Sequence, residues 1–244
     1  MKKESNLLTG SIWRGIVVFA IPLFMGNLFQ QLYNMVDSLI VGNFLGSEAL
    51  AAVSSSGSLI FLLVGFINGT ATGAGVIISR YFGACDDESL KRAVHTDIAF
   101  GLAAGLLLTV VGILFAPQIL VWMGTPTGVL PDSVAYFRVY FGGSIAFVMY
   151  NICMGILQAV GDSRHPLYYL MISSFVNVGL DFAFVGGLGL GVWSAALATA
   201  LSQAVSALLC FWRLVRKKEV YQVRIKEIRF HADMLSQILR LGLP

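Results

Sequence analysis

The sequence predicts an all-α integral membrane protein, one lobe of six membrane-spanning helices. Three observations carry that fold class. First, 57% of the 244 residues are hydrophobic and 12% are charged, with a mean hydropathy of +0.80. Soluble domains carry about 25% charged residues, so this chain lacks the polar surface to cover a soluble core of its size. Second, six predominantly apolar runs reach the roughly 20 residues a spanning helix needs. They lie at approximately 15–39, 50–76, 93–120, 134–158, 166–186 and 191–212, and none alternates in polarity as a membrane β-strand would. Third, threading six spans with the N-terminus inside puts 15 of the 16 Lys and Arg residues on one side, leaving only Arg138 opposite. Positive charge marks the cytoplasmic face. The expected topology is therefore multi-pass in the plasma (inner) membrane, with N-terminus and connector cytoplasmic.

The first run follows a basic leader, MKKESNLLTGSIWRG. No small-x-small cleavage site follows it, so a cleaved signal peptide is not expected. Within this run, NLFQQLYNMVDSLIVG (27–42) places Asn27, Gln30, Gln31, Asn34, Asp37 and Ser38 in hydrocarbon. At 100° per residue they fall within about 120° of arc, one face of the helix. An Asp at mid-bilayer costs roughly 2.5–3.5 kcal/mol on insertion scales, so this face must look at protein or water. Pro22 in the same helix removes a backbone hydrogen bond and reads equally as a static kink or a hinge.

A short external loop around NFLGSEAL joins the first two spans, with Gly46-Ser47 as the break. In the next loop Asp86, Asp87 and Glu88 read as the acidic first turn of a helix, favourable against its dipole, rather than as metal ligands. His95 and Asp97 at the start of span three read as interfacial polar residues. Pro126, Gly128 and Pro131 punctuate the second external loop. AVGDSRHP contains a helix-ending Gly161, Ser163 as N-cap and Pro166 in the first turn of the fifth helix. GGLGLG is short enough to make spans five and six a tight hairpin. Cys85, Cys153 and Cys210 are odd in number and read as packing residues, not as a disulfide framework.

Span five adds a second polar stripe, Ser173, Asn177 and Asp181, at i, i+4, i+8. No basic residue lies deep within a span to neutralise Asp37 or Asp181, Arg138 standing near the outer end of the fourth. The remaining counter-charge is a bound cation or a proton, and carboxylate, amide and hydroxyl oxygens suit a small hard cation. On span six, Thr199 could add a hydroxyl, while the neighbouring Ala195, Ala196, Ala200, Gln203 and Ala204 read as close packing. The basic stretch RLVRKKEVYQVRIKEIR has no counterpart on a folded soluble face. It reads as a solvated or lipid-headgroup-facing connector, with no nucleic-acid footprint. The expected organisation is a lobe at 1–213, a connector at 214–236, and at 237–244 the start of the first helix of a second lobe. QILRLGLP there resembles VFAIP at Pro22, an apolar run with a small residue two before proline, and transporters are often built from repeated halves.

Taken together, IPLFMGNLFQQLYNMVDSLIVGNFLGSEALAAV, GAGVIISRYFGACDDESLKRAV and LQAVGDSRHPLYYLMISSFVNVGLDFAFV resemble the N-terminal half of multidrug and toxic compound extrusion (MATE) transporters, over residues 10–215. The resemblance implies twelve spans in two six-helix lobes and antiport of small-molecule organic cations against Na+ or H+, with no other cofactor. It implies a cation or proton site at Asp37, Asn177, Asp181 and Thr199, with Na+ as the candidate metal. It places substrate-cavity residues at Gln30, Asn34 and Asn151 and a bending proline at Pro22. The second lobe is absent from this chain, so transport is expected only with such a partner. Two alternatives are a lipid-linked oligosaccharide flippase of the same superfamily and a non-transporting half-lobe membrane subunit. A flippase for pyrophosphate head groups would want basic residues inside the lobe, and the spans hold none deep enough. No His-Glu-x-x-His, Gly-x-Ser-x-Gly or paired Ser/Lys arrangement lies in a span, so an intramembrane enzyme is not expected.

Overall fold

The computed structural model describes residues 12–242, so the leader with Lys2 and Lys3 and the closing Leu243-Pro244 lie outside the described residues. Among the described residues the regular structure is helical and no strand occurs. The helical stretch Ile12–Gly83 is two helices, α1 (12–45) and α2 (47–83), split at Gly46 with φ 87° and ψ −177°. That left-handed φ is cheap only for glycine. One residue therefore makes the turn, and the expected loop around NFLGSEAL is drawn into the two helix ends. The reversal is visible in shared cavity walls, where Asp37 and Ser38 oppose Val53 and Gly57 while Phe19 and Leu23 oppose Gly75 and Val76.

Helix α3 (Asp87–Trp122) starts at Asp86, whose carboxylate accepts the Ser89 N–H at 3.1 Å, with Asp87 and Glu88 in the first turn. The pair α4 (Leu130–Gly142) and α5 (Ser144–Ala159) is one span bent by 45°. At the bend Gly143 lies so close to Ala200 that a Cβ there would meet the alanine methyl at 2.4 Å. The fifth span is α6 (Arg164–Asp181), extended by a π-helical turn at Phe182–Gly187, and the sixth is α7 (Trp193–Arg216). Gly189, with φ 61°, closes the hairpin between them. A last helix, α8 (Ala232–Gly242), packs on α2. By length and apolarity Asp87–Trp122, Arg164–Gly187 and Trp193–Arg216 can each cross a membrane, as can the Gly15–Ser55 part of the long first stretch.

The largest core cluster fills the half of the lobe nearest the connector. Ile78, Val94, Ile98, Ile152, Ile156, Leu157, Leu214 and Ile238 are among its fully buried members. Two smaller clusters fill the opposite half, one around Val41, Ala52 and Ala196, the other around Leu120 and the stacked rings of Phe137 and Phe141, 4.3 Å apart. Helices come close where side chains are small, as expected when lipid supplies no hydrophobic force between them. A Cβ on Gly112 would fall 2.3 Å from the Phe141 ring, and one on Gly73 would fall 2.5 Å from the Gly242 nitrogen.

The lobe's basic end is tied by polar contacts. Asp162, buried between α5 and α6, takes the Arg213 guanidinium on Oδ2 through Nε at 2.9 Å and Nη2 at 2.7 Å, and His165 Nδ1 on Oδ1 at 2.7 Å. Its carboxylate, not the Ser163 hydroxyl, caps α6 by accepting the His165 N–H, because its second oxygen is already anchored to Arg213. His95 and Asp97 are buried rather than interfacial, since α8 and the connector close over the start of α3. Cys153 and Cys210 are buried packing residues. Cys85 instead stands exposed at a left-handed turn position, with φ 55°.

Candidate functional site

Helix α1 brings its polar face against α2, α4 and α7, around a cavity of about 490 Å³ lined by Asn34, Asp37, Tyr33, Tyr140, Thr199 and Gln203. Helix α6 closes the site from behind. The i, i+4, i+8 spacing turns Ser173, Asn177 and Asp181 inward together, and all three are buried, Asp181 completely. The carboxyl groups of Asp37 and Asp181 meet within side-chain interaction range. Thr199 on α7 approaches the Tyr33 hydroxyl. The four residues Asp37, Asn177, Asp181 and Thr199 therefore come from three helices that share one polar centre.

What distinguishes this centre is its unfilled hydrogen-bonding capacity. Asp37 Oδ1, both oxygens of Asp181, both amide atoms of Asn177 and Oε1 of Gln203 are buried without a hydrogen-bond partner. Buried polar groups are normally paired, and a bare ionised carboxylate away from water is expensive. Among the described residues, no Lys, Arg or His lines the cavity. Among the described residues, Arg138 is held to the Ile113 carbonyl at 3.3 Å and the remaining Lys and Arg engage the opposite end or its surface. Two acids that act on each other electrostatically, with amide and hydroxyl groups near them and no basic partner among the described residues, fit a small hard cation or a proton.

The substrate-cavity candidates divide between two spaces. Gln30 lines both the large cavity and a second one of about 250 Å³, nearer the basic end, where Asn151 also sits; Asn34 faces only the larger. Asn151 donates its amide N–H to the Phe147 carbonyl at 2.8 Å. Pro22 lines the smaller cavity while helical dihedrals continue through it, Gly46 being the non-helical residue of the 12–83 stretch. Sequence reasoning missed the tyrosines. Tyr33 stands one turn before Asp37, and Tyr136 and Tyr140 form an i, i+4 pair on α4; Asp37 acts electrostatically on all three. The helical spacing from Asp37 pointed to Tyr33, but nothing in the sequence alone brings α4 to the same place. Gln203, read as packing, belongs to the polar centre, one turn beyond Thr199.

The MatE family model matches residues 22–183 of this chain. The chain belongs to the MatE family. Relatives include the probable multidrug resistance protein YoeA of Bacillus subtilis, 34% identical over 96% of this chain and 52% of its own length. The multidrug export protein MepA of Staphylococcus aureus is 28% identical over 96% of this chain and 52% of its own. This MatE chain thus spans about half the length of the curated relatives it matches. A crystal structure of MATE in the bent conformation superposes on it with a TM-score of 0.91 at 30% identity, covering 100% of this chain and 55% of that one. An outward-facing multidrug resistance MATE transporter of the MOP superfamily gives 0.90 over 100% of this chain, and an inward-facing one gives 0.81 over 93%.

Proposed function

We propose that this chain is the N-terminal lobe of a cation-coupled antiporter that exports organic cations, with Asp37 and Asp181 as the coupling site. The observation that carries this is the carboxyl pair, Asp181 buried and Asp37 half-buried at the cavity wall, with unfilled oxygens and no basic neighbour among the described residues. Asn177 and Thr199 complete the oxygen set around a Na+ ion, or orient the acids when a proton is carried instead. Either cation removes the repulsion between the two acids and lets α1 close on α6 and α7. Emptying the site separates them and reopens the cavity that Gln30, Asn34 and Asn151 line. Pro22, where α1 lacks a backbone hydrogen bond, is where that helix bends. Binding of one cation thereby excludes productive binding of the other at the same lobe, which is what exchange requires.

The lobe works with a second six-helix lobe that supplies the other wall of the substrate path. The basic end, connector included, faces the cytoplasm of the plasma membrane, following the distribution of Lys and Arg. A flippase for anionic pyrophosphate head groups finds no support, because the cavities offer amides and carboxylates where that substrate needs cations. The test is flux in proteoliposomes holding the two-lobe protein that contains this chain, under separate Na+ and pH gradients. Asp37→Asn and Asp181→Asn are each expected to abolish gradient-driven efflux while leaving expression intact. Normal driven efflux in both variants would sink the mechanism.

A further inference from the structure

The segment after α7 is neither a loose tether nor wholly packed. The Val223 N–H donates to the Leu214 carbonyl at 3.0 Å, and Gln222 Nε2 to the Val215 carbonyl at 2.7 Å, so the chain turns back to the level of the last turns of α7. From there it arches over the start of α3 and is pinned at both ends. The Arg224 N–H donates to His95 Nε2 at 3.0 Å, and the His231 N–H to Thr96 Oγ1 at 3.2 Å. Ile228 packs inward against the main core. Ile225 and Phe230 point outward, 67% and 52% exposed, beside the exposed Lys226 and Arg229.

Its depth is marked from the α7 side. Trp212, 53% exposed, lies at the same end of α7, with the Arg216 guanidinium 4.8 Å from its ring centre. Trp with a snorkelling basic side chain sits at the boundary between acyl chains and head groups. Residues 216–230 contain six basic and two acidic side chains. Glu219 and Glu227 are engaged by Lys217 and Arg224, which leaves an excess of positive charge at that depth.

We infer that the arch 224–230 is a docking surface for anionic phospholipid, with Ile225 and Phe230 entering the head-group boundary and Lys226 and Arg229 meeting lipid phosphates. Apolar side chains in the interface with basic ones at the phosphates is how interfacial segments bind, and each cation near an anionic leaflet is worth a factor of about five in partitioning. The charge selects the partner. A protein lobe or a neutral surface covering Ile225 and Phe230 would leave Lys226 and Arg229 uncompensated. The inference does not depend on the coupling site or on what is transported.

The test places a spin label at Ile225→Cys, and separately at Phe230→Cys, in the full chain with exposed Cys85→Ser, reconstituted in phosphatidylcholine vesicles with or without phosphatidylglycerol. With phosphatidylglycerol, collisions with oxygen should exceed those with a water-soluble nickel chelate. Removing phosphatidylglycerol, or adding Lys226→Gln and Arg229→Gln, should shift both labels back toward the aqueous ratio. Labels that collide mainly with the nickel chelate in every vesicle would overturn the inference. So would labels shielded from both relaxants, which would mean that protein covers the arch, and so would immersion indifferent to lipid charge.

Discussion

Replacing Asp162 by alanine removes the hub of the basic end. Its two oxygens hold Arg213 through two donors at 2.9 and 2.7 Å and the His165 ring at 2.7 Å, while Asp162 itself is buried and the Arg213 side chain is only 19% exposed. Breaking a buried pair by deleting one partner costs about 3–5 kcal/mol, because the other charge is left uncompensated. Arg213 lies at a helix end with some access to water, so about 3 kcal/mol is the appropriate figure. For a chain of this size 1 kcal/mol moves the midpoint by roughly 2–4 °C, giving a fall of about 6–12 °C for Asp162→Ala in detergent, read by tryptophan fluorescence or loss of the monodisperse peak. Asp162→Ala/Arg213→Met removes both charges and should recover more than half of that loss. A midpoint within 2 °C of the parent (about 1 kcal/mol or less), or a double variant no better than the single, would refute the reasoning. Burial alone would raise the Asp162 carboxyl, but the hydrogen bonds from His165 and Arg213 outweigh it and hold the group below its ordinary value. A depressed folded-state value means the stabilisation is complete above the ordinary carboxylate range and is lost as pH falls through the folded value. Cys210 and Tyr169 also feel this carboxylate. The gap between parent and Asp162→Ala should therefore stay constant from about pH 7 to pH 5 and narrow below that.

Gly73→Leu should push α8 off α2, because even a Cβ there meets backbone at 2.5 Å; an overpacking cost of about 1–3 kcal/mol should appear as faster proteolysis of the connector, with Gly75→Ala, whose nearest contact is 4.0 Å, as the silent control. Gly46→Ala forces a side chain into φ 87° and should cost about 1–2 kcal/mol in thermal stability. Thr199→Val removes one oxygen from the proposed coupling site and should weaken the apparent affinity for the driving cation about tenfold, as expected for a hydrogen bond or ligand to a charged group, with the maximal efflux rate nearly kept. Thermal shift of the reconstituted protein against Na+ concentration should give the same tenfold displacement if Na+ is the ion.

The membrane class and the spans were legible because burial in lipid leaves a direct imprint on composition, and the polar stripe of α1 stood out because each of its residues violates that imprint. Asp181 and Asn177 were legible for the same reason, since helical spacing alone put them on one face. The connector was not. Its charge suggests a solvated or lipid-headgroup-facing connector, and its docking depends on His95 and Thr96, 129 and 135 residues earlier, offering one acceptor each to passing backbone N–H groups. The tyrosines were hidden differently, because an aromatic residue in an apolar run is indistinguishable from packing until a neighbouring helix shows what it faces.

A polar centre of this kind also explains where the lobe is packed loosely and where it is packed tightly. The core is densest toward the connector, where α2, α3, α5 and α7 share one cluster and Asp162 ties the helix ends. Helix α1 stands largely outside that cluster and contributes Asp37 to a cavity it only partly closes. Of the helices that bear the carboxyl pair, α1 is held through Ile40 and Val41 in a smaller cluster and leaves its 12–35 part outside the core clusters, while α6 is anchored through Leu170 in the main core and Asp162 at its start. A cation bridging Asp37 to Asp181 would couple the mobile helix to the fixed one. Its release would cost the main core little if α1 bends before Val36, because α1 contributes no residue to that cluster and Ile40 and Val41 can stay packed. Stiffening α1 against α6, for example by linking Gly26→Cys to Leu167→Cys with a short bifunctional thiol reagent, where a Cβ at Gly26 would lie 3.9 Å from Leu167 Cδ1, should therefore block efflux relative to the same double variant left unlinked. Efflux that survives the cross-link would show that the two acids exchange cations without movement of α1.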